Sequence, residues 1–248
     1  MDTANRPKTK LKPTRPDSLR RHTVAGRWPA ALGALLLAAV CVFCARWGFA
    51  DLIAQDAIVR QSALSERAAR TGAPADARVA RAIGDELLLA QRFDPGNPAI
   101  AEQLGSLYAL NVREGDAGIG LGAQRGKALE QYSKAAAMRP TSPYSWANLA
   151  WTKYYLGLAD AEFYRALDNA IRLGPWEPEV QIVAVDLGFA MWNDLPAAMR
   201  PKVMAMAQNG QRRQAEKIIA IARKHGRLMD VCKFEKLAKM AACMPASG

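Results

Sequence analysis

Aromatic residues make up only 7% of this 248-residue chain. No stretch alternates polar positions with β-branched ones. The second absence excludes a sheet. The first means that helices have few large rings to pack with and must close on small side chains. Histidine is scarce too, with two in the chain. His22 lies in the N-terminal tail, and His225 falls at an expected helix end, where a solvated capping role outweighs metal ligation. There are four cysteines. Cys41 and Cys44 have CxxC spacing, but they lie inside an apolar run and are followed by Ala45 rather than His, so they read as packing residues and not as a haem attachment. No carboxylate pair stands isolated in an apolar setting; Glu177 and Glu179 flank Pro178, where the helix dipole favours them as helix-initiating residues. The Gly-rich segment around Gly126–Lys127 fails as a phosphate loop. Position 121 is Leu where the pattern needs Gly, and Ala128 stands where Ser or Thr is required. The expectation is therefore no catalytic residue, no metal and no cofactor.

Half of the residues are apolar and alanine is abundant, which suits closely packed helices and an all-α fold. The net charge of +11 is concentrated at the two ends. Residues 1–27 carry eight Lys/Arg against Asp2 and Asp17, giving +6; residues 200–240 carry eleven against Glu216, Asp230 and Glu235, giving +8. The remainder sums to −3.

Residues 1–27, rich in Lys, Arg, Pro and Thr, read as a disordered basic tail. Trp28 to Ala45 is 18 residues without a charge, bracketed by Arg27 and Arg46, with Trp28 and Trp47 at its ends. That is the length of a membrane-spanning helix with interfacial Trp anchors, assigned to residues 28–47. A cleaved signal peptide is the rival, because Gly48-Phe49-Ala50 before Asp51 is a small-x-small site. The long leader and long apolar run favour an uncleaved anchor. The Lys/Arg excess before the span puts the N-terminus in the cytoplasm. The Ala/Arg-rich composition suggests a bacterial chain, in whose inner membrane the remaining domain is periplasmic.

A helix is expected over Ala50 to Arg70, with Leu52, Ile53, Ala57 and Leu64 near one face, then a turn over Thr71–Asp76. Helices follow over Arg78–Arg92 and Ala99–Arg113, and a loop insert over Glu114–Arg125. Ala128, Tyr132 and Ala135 form the stripe of the next helix, ended by Pro140; Trp146, Leu149 and Ala150 open another, with Gly157 at a turn. Phe163, Ala166, Leu167, Ala170 and Ile171 form a third stripe, closed by Gly174 and Pro175. These residues resemble the tetratricopeptide repeat, whose 34-residue unit carries Trp-x-x-Leu-Gly-x-x-Tyr, then Ala-x-x-x-Phe and a closing Pro. Leu104, Gly105 and Tyr108 match the first part of one unit, Ala128 to Pro140 its end, and Trp146, Leu149 and Ala150 the start of the next. Lys153 stands where the family has Tyr. The resemblance spans residues 78–192 and implies a helical solenoid, assigned to residues 51–199.

After Pro178 the run EVQIVAVDLGFAMWNDLP reads as a helix buried on both sides. Helices over Ala197–Asn209, Gln211–Lys224 and Asp230–Ala242 make up the basic region 200–248, which would cap the solenoid. Along one continuous helix Cys232 and Cys243 would lie about 16 Å apart, whereas a disulfide needs about 7 Å or less between Cα atoms. Either that helix breaks near Lys239 or the thiols stay apart.

In the repeat family, first helices line a concave groove. Here the resemblance implies a partner-binding groove of Tyr144, Asn148, Trp151 and Tyr155, joined by Glu102, Gln103 and Ser106. Tyr and Trp supply rigid contact area; the rival reading packs Trp151 and Tyr155 against neighbouring helices. The runs Leu173–Gln181 and Trp192–Pro196 also resemble the VpsP-type polysaccharide biosynthesis family, small membrane-anchored proteins of bacterial exopolysaccharide clusters. Both resemblances imply a non-catalytic, membrane-anchored scaffold that binds protein partners, in surface polysaccharide biosynthesis or export. The alternatives are an envelope assembly or quality-control factor that binds client proteins, and a glycan-acting enzyme on a helical fold. The basic C-terminal helices suit anionic lipid or an acidic polysaccharide; nucleic acid is not an expected partner across a membrane.

Overall fold

The computed structural model describes residues 27–110, 121–240 and Cys243. These form eleven helices and, among the described residues, no strand: the fold is all-α. Two compact units divide between Cys44 and Ala45. The first holds the opening part of α1 (Arg27–Thr71), every described side chain of which is exposed. Among the described residues, α1 is the one helix long and apolar enough to cross a membrane. Cys41 and Cys44 lie on it as free, exposed thiols, so they are not the packing residues expected.

The apolar span and the helix expected over Ala50 to Arg70 form one continuous helix, α1, of 45 residues. No proline interrupts it, and a lone Gly48 costs only about 1 kcal/mol in a helix, too little to end it. Leu52 also faces the other way from expectation and is 71% exposed. The buried face is Ala50, Ala54, Ala57 and Gln61, at spacings of four, three and four. That stripe shares an apolar cluster with α2 (Ala77–Phe93) and α3 (Pro98–Ala109). Arg46 Nη2 donates to the Phe93 carbonyl at 3.0 Å, and Gln61 Nε2 donates to the Gln103 carbonyl at 3.0 Å.

The next helices are α4 (Leu121–Met138), α5 (Pro143–Tyr155), α6 (Ala161–Leu173) and α7 (Pro178–Ala190). Three starts share one grammar: Asn97-Pro98, Ser142-Pro143 and Glu177-Pro178 each place proline in the first turn, where its missing N–H costs nothing. Asp76, Asn97, Ser142 and Asp160 accept hydrogen bonds from first-turn amides and so cap α2, α3, α5 and α6. α5 and α6 run antiparallel: Lys153 at the end of α5 meets Asp160 and Glu162 at the start of α6, while Pro143 touches Gly174. All five residues of the stripe on α6 are buried. α7 packs against α5, α6, α8 and α9, as its apolar surround requires. α3 ends at Ala109 rather than Arg113. The expected insert lies mostly outside the described residues; its last part, Leu121–Arg125, belongs to α4 despite Gly122.

The C-terminal helices differ most from expectation. α8 (Arg200–Gly210) starts later than Ala197, because the chain first turns after Pro196 with Met199 N–H donating to the Pro196 carbonyl. α9 (Ala215–Lys224) starts after a turn over 211–213, since the chain bends at Gly210 beneath Ile218. The single helix expected over Asp230–Ala242 is two short ones, α10 (Leu228–Val231) and α11 (Glu235–Ala238). The extended backbone of Phe234 separates them and lets its ring pack on the core. The break brings Cys232 and Cys243 to a Cα separation of 5.4 Å, and they form a disulfide. His225 is not a solvated cap: it ends α9, but its ring is largely buried against Asp186.

Two apolar clusters result, one among α1, α2 and α3, the other running from α4 to α11, with Tyr108 packed against both. Close approach depends on glycine at defined points. A Cβ on Gly105 would sit 2.7 Å from the Tyr132 ring, and one on Gly188 would sit 2.5 Å from both Val203 methyls. Gly105→Ala is expected to cost about 1–3 kcal/mol by overpacking, lowering the melting temperature by about 2–4 °C per kcal/mol in a domain of this size. Thermal melts followed by circular dichroism check this, and adding Tyr132→Leu recovers part of the loss if the ring is the obstacle.

Candidate functional site

α5 carries the four central residues proposed from sequence. Tyr144 is exposed and its hydroxyl donates to Glu177, which does not cap α7 with its side chain. That hydrogen bond, together with burial and the charge of Glu177, pushes the phenol pKa up to about 12. Asn148 is half-buried; its carbonyl accepts the Thr152 hydroxyl, and its side-chain amide has no protein partner among the described residues. Trp151 is half-buried against the larger core cluster. Tyr155 is 43% exposed, its ring 4.9 Å from Trp151 and 5.4 Å from Tyr154. The aromatic pair thus divides between packing and presentation: Trp151 anchors, Tyr155 is offered.

The three residues on α3 do not act together. Glu102 turns to α5, accepts the Ser145 hydroxyl, and has Arg139 3.9 Å away. Gln103 is tied through its backbone to α1. Ser106 hydrogen-bonds Tyr132 on α4. Only Glu102 adjoins the α5 set.

Three charged groups absent from the sequence-derived set sit beside it. Asp186, on α7, accepts from Lys224 Nζ at 3.2 Å and lies 2.7 Å from His225 Nε2. Asp186 holds the Lys224 ammonium pKa above the ordinary lysine value, with smaller contributions from Tyr155 and Tyr154. Arg125, on α4, places its guanidinium 5.6 Å from the Tyr155 ring, a cation–π contact. Tyr155 therefore has Arg125 against its ring and interacts electrostatically with Lys224. Asp186 had a legible signal: it is the only charge between Glu179 and Asp194. A lone carboxylate on an apolar helix calls for a partner, but only the tertiary fold identifies the partner as the end of α9.

This face can bind a partner by stacking on Tyr155, by hydrogen bonds to Asn148, and by charge at Arg125 and Lys224. Among the described residues no cluster of His, Cys, Asp and Glu could hold a metal ion. No protein-family model and no curated protein matches the chain.

Beneath the site is a buried lysine. Lys153 is 3% exposed, with Nζ 2.9 Å from Asp160 and 2.7 Å from Glu162. Burial disfavours the ammonium, but the two carboxylate hydrogen bonds outweigh it and raise the lysine pKa. The same contact, with the Phe163 amide, lowers the Asp160 pKa. A lowered carboxylate pKa stabilises the fold above its unfolded value near 3.8, and that stabilisation disappears as pH falls through the lower folded value. Lys153→Met keeps the apolar volume and removes the charge. It is expected to destabilise by about 1–2 kcal/mol, less than a fully buried pair, because both carboxylates can rehydrate. It should also flatten the loss of stability between about pH 5 and pH 3. Urea titrations of both proteins across that range measure the two effects.

Proposed function

We propose that the chain is a non-catalytic, membrane-anchored scaffold built on a tetratricopeptide-like helical array. Its α5–α7–α9 face recruits a protein partner to the membrane, in surface polysaccharide assembly or export. The observation that carries this reading is the exposed Tyr155 ring, with Arg125 against it and half-buried Trp151 behind it. An amphipathic ring on a packed helix, with unequal charges around it, is the composition of an interaction hot spot.

Three features support the solenoid part of the proposal. α5 and α6 pair in antiparallel fashion, first helices α5 and α7 adjoin one another, and α7 adjoins α9. The anchor part rests on α1, whose apolar length suits one span; the basic flank before it favours a cytoplasmic N-terminus and a periplasmic domain in a bacterial inner membrane. The polysaccharide role rests on the Leu173–Gln181 and Trp192–Pro196 runs.

The test is crosslinking in cells followed by co-purification, comparing wild type with Tyr155→Ala and Asn148→Ala. Trp151 is left intact because its truncation would hollow the core. Glycosyltransferases or export components recovered with wild type, and reduced about tenfold or more in the variants at equal expression, are the expected result. Unchanged recovery in the variants moves the interface off this face. Recovery of many unrelated unfolded proteins favours a client-binding factor, and no protein partner together with glycan turnover favours an enzyme.

A further inference from the structure

We propose that the pocket at the α8–α9 turn is a binding site for a phosphate-class anion carrying two or more negative charges. The pocket encloses about 320 Å³ and is lined by Arg212, Arg213, Gln214, Lys217 and Lys236, with Ala215 and Glu216. Four cations face a single carboxylate there, a local excess of three charges.

What sets these cations apart from Arg200 and Arg223, which also lack a carboxylate partner among the described residues, is that four of them share one concavity. Elsewhere in the basic C-terminal region Lys202 pairs with Asp168, Lys224 with Asp186, Arg227 and Lys233 with Asp230, and Lys239 with Glu235. Arg212, Arg213, Lys217 and Lys236 pair with no carboxylate among the described residues. Holding like charges in one concavity raises the energy of the folded state, and an anion relieves it. Two adjacent guanidiniums offer the planar, forked donors that match phosphate oxygens, and the lysines add point charge.

The pocket is also braced. Lys236 belongs to α11, inside the segment closed by the Cys232–Cys243 disulfide. Its backbone N–H donates to Gln211 Oε1 at 3.1 Å, and its ammonium donates to the Arg212 carbonyl at 2.8 Å. The ammonium is thus fixed across the turn that carries Arg212 and Arg213. α9 begins at the pocket without a side-chain cap, leaving backbone amide donors beside the cations. The proposal does not depend on the partner-binding face, which uses other residues.

The full chain in phosphatidylcholine nanodiscs, titrated calorimetrically with inorganic pyrophosphate, should bind saturably at one site. Arg213→Ala/Lys217→Ala should weaken that binding about tenfold or more. Lys233→Ala/Lys239→Ala removes the same formal charge from paired lysines and should change it about twofold at most. Both double variants replace exposed side chains, and unchanged melting temperatures confirm the fold; Lys217→Gln alone, expected to weaken binding about threefold or more, serves if the first double variant melts early. Adding cardiolipin, whose headgroup carries two phosphate charges, to the nanodiscs separates the sources. Competition with pyrophosphate assigns the site to a lipid headgroup, and no competition assigns it to a soluble phosphate. Absence of saturable binding, or equal weakening in both double variants, overturns the site.

Discussion

The helices of the second unit approach one another where one offers hydrogen in place of a side chain. Gly105 accepts the Tyr132 ring, Gly188 the Val203 methyls, and Gly210 the Ile218 side chain. Alanine extends the same economy along the buried stripes of α1, α4 and α6. A core made this way buries little area per residue, so it must bury many residues and cannot tolerate gaps. Backbones that lie close also leave less room to hydrate polar groups between them. Glutamine fills that role: Gln61, Gln131 and Gln181 are all buried, and each is tied to a neighbouring segment by one hydrogen bond. The shortage of aromatics and the abundance of alanine are thus one property seen twice.

Small-residue packing also explains which parts of the fold were legible in sequence. The apolar stripes of α4 and α6 were readable because their period is helical and Pro140 and Pro175 end them. The starts of α3, α5 and α7 carry a local signal, a polar residue followed by proline. On α1 the inward face after residue 50 is alanine and glutamine, whereas Leu52 and Val59 point outward, so hydropathy does not mark the inside there. The C-terminal misreading has a different cause. Residues 230–242 contain no proline or glycine, and the break at Phe234 is dictated by a ring that packs on the core and by a covalent bond eleven residues long. Neither is a local signal.

The candidate site was half legible for the same reason. Tyr155 and Trp151 stand out as rings in an alanine-rich chain, so α5 could be singled out. Their division of labour could not, since it depends on which side of α5 meets α7. The departure at Lys153 from the repeat pattern reads as a mismatch in sequence. In the fold it closes the end of α5 on the start of α6 through two carboxylates, a connection an aromatic ring would make by area alone.

These ties give the two proposed surfaces different mechanical characters. α5 is clamped at one end by Tyr144–Glu177 and at the other by Lys153, so Asn148 and Trp151 lie between fixed points. A partner docking there meets a preformed face and pays little to order it. α10 and α11 are four residues each, far below the length at which a helix holds itself. Their position relies on the disulfide, on buried Val231 and Leu237 and on the hydrogen bonds of Lys236, so the oxidised bond is one of several braces on the fourth cation of the proposed pocket. A disulfide persists in an oxidising compartment and is lost in a reducing one. The proposed periplasmic placement and the Cys232–Cys243 brace thus call for the same kind of compartment, an oxidising one.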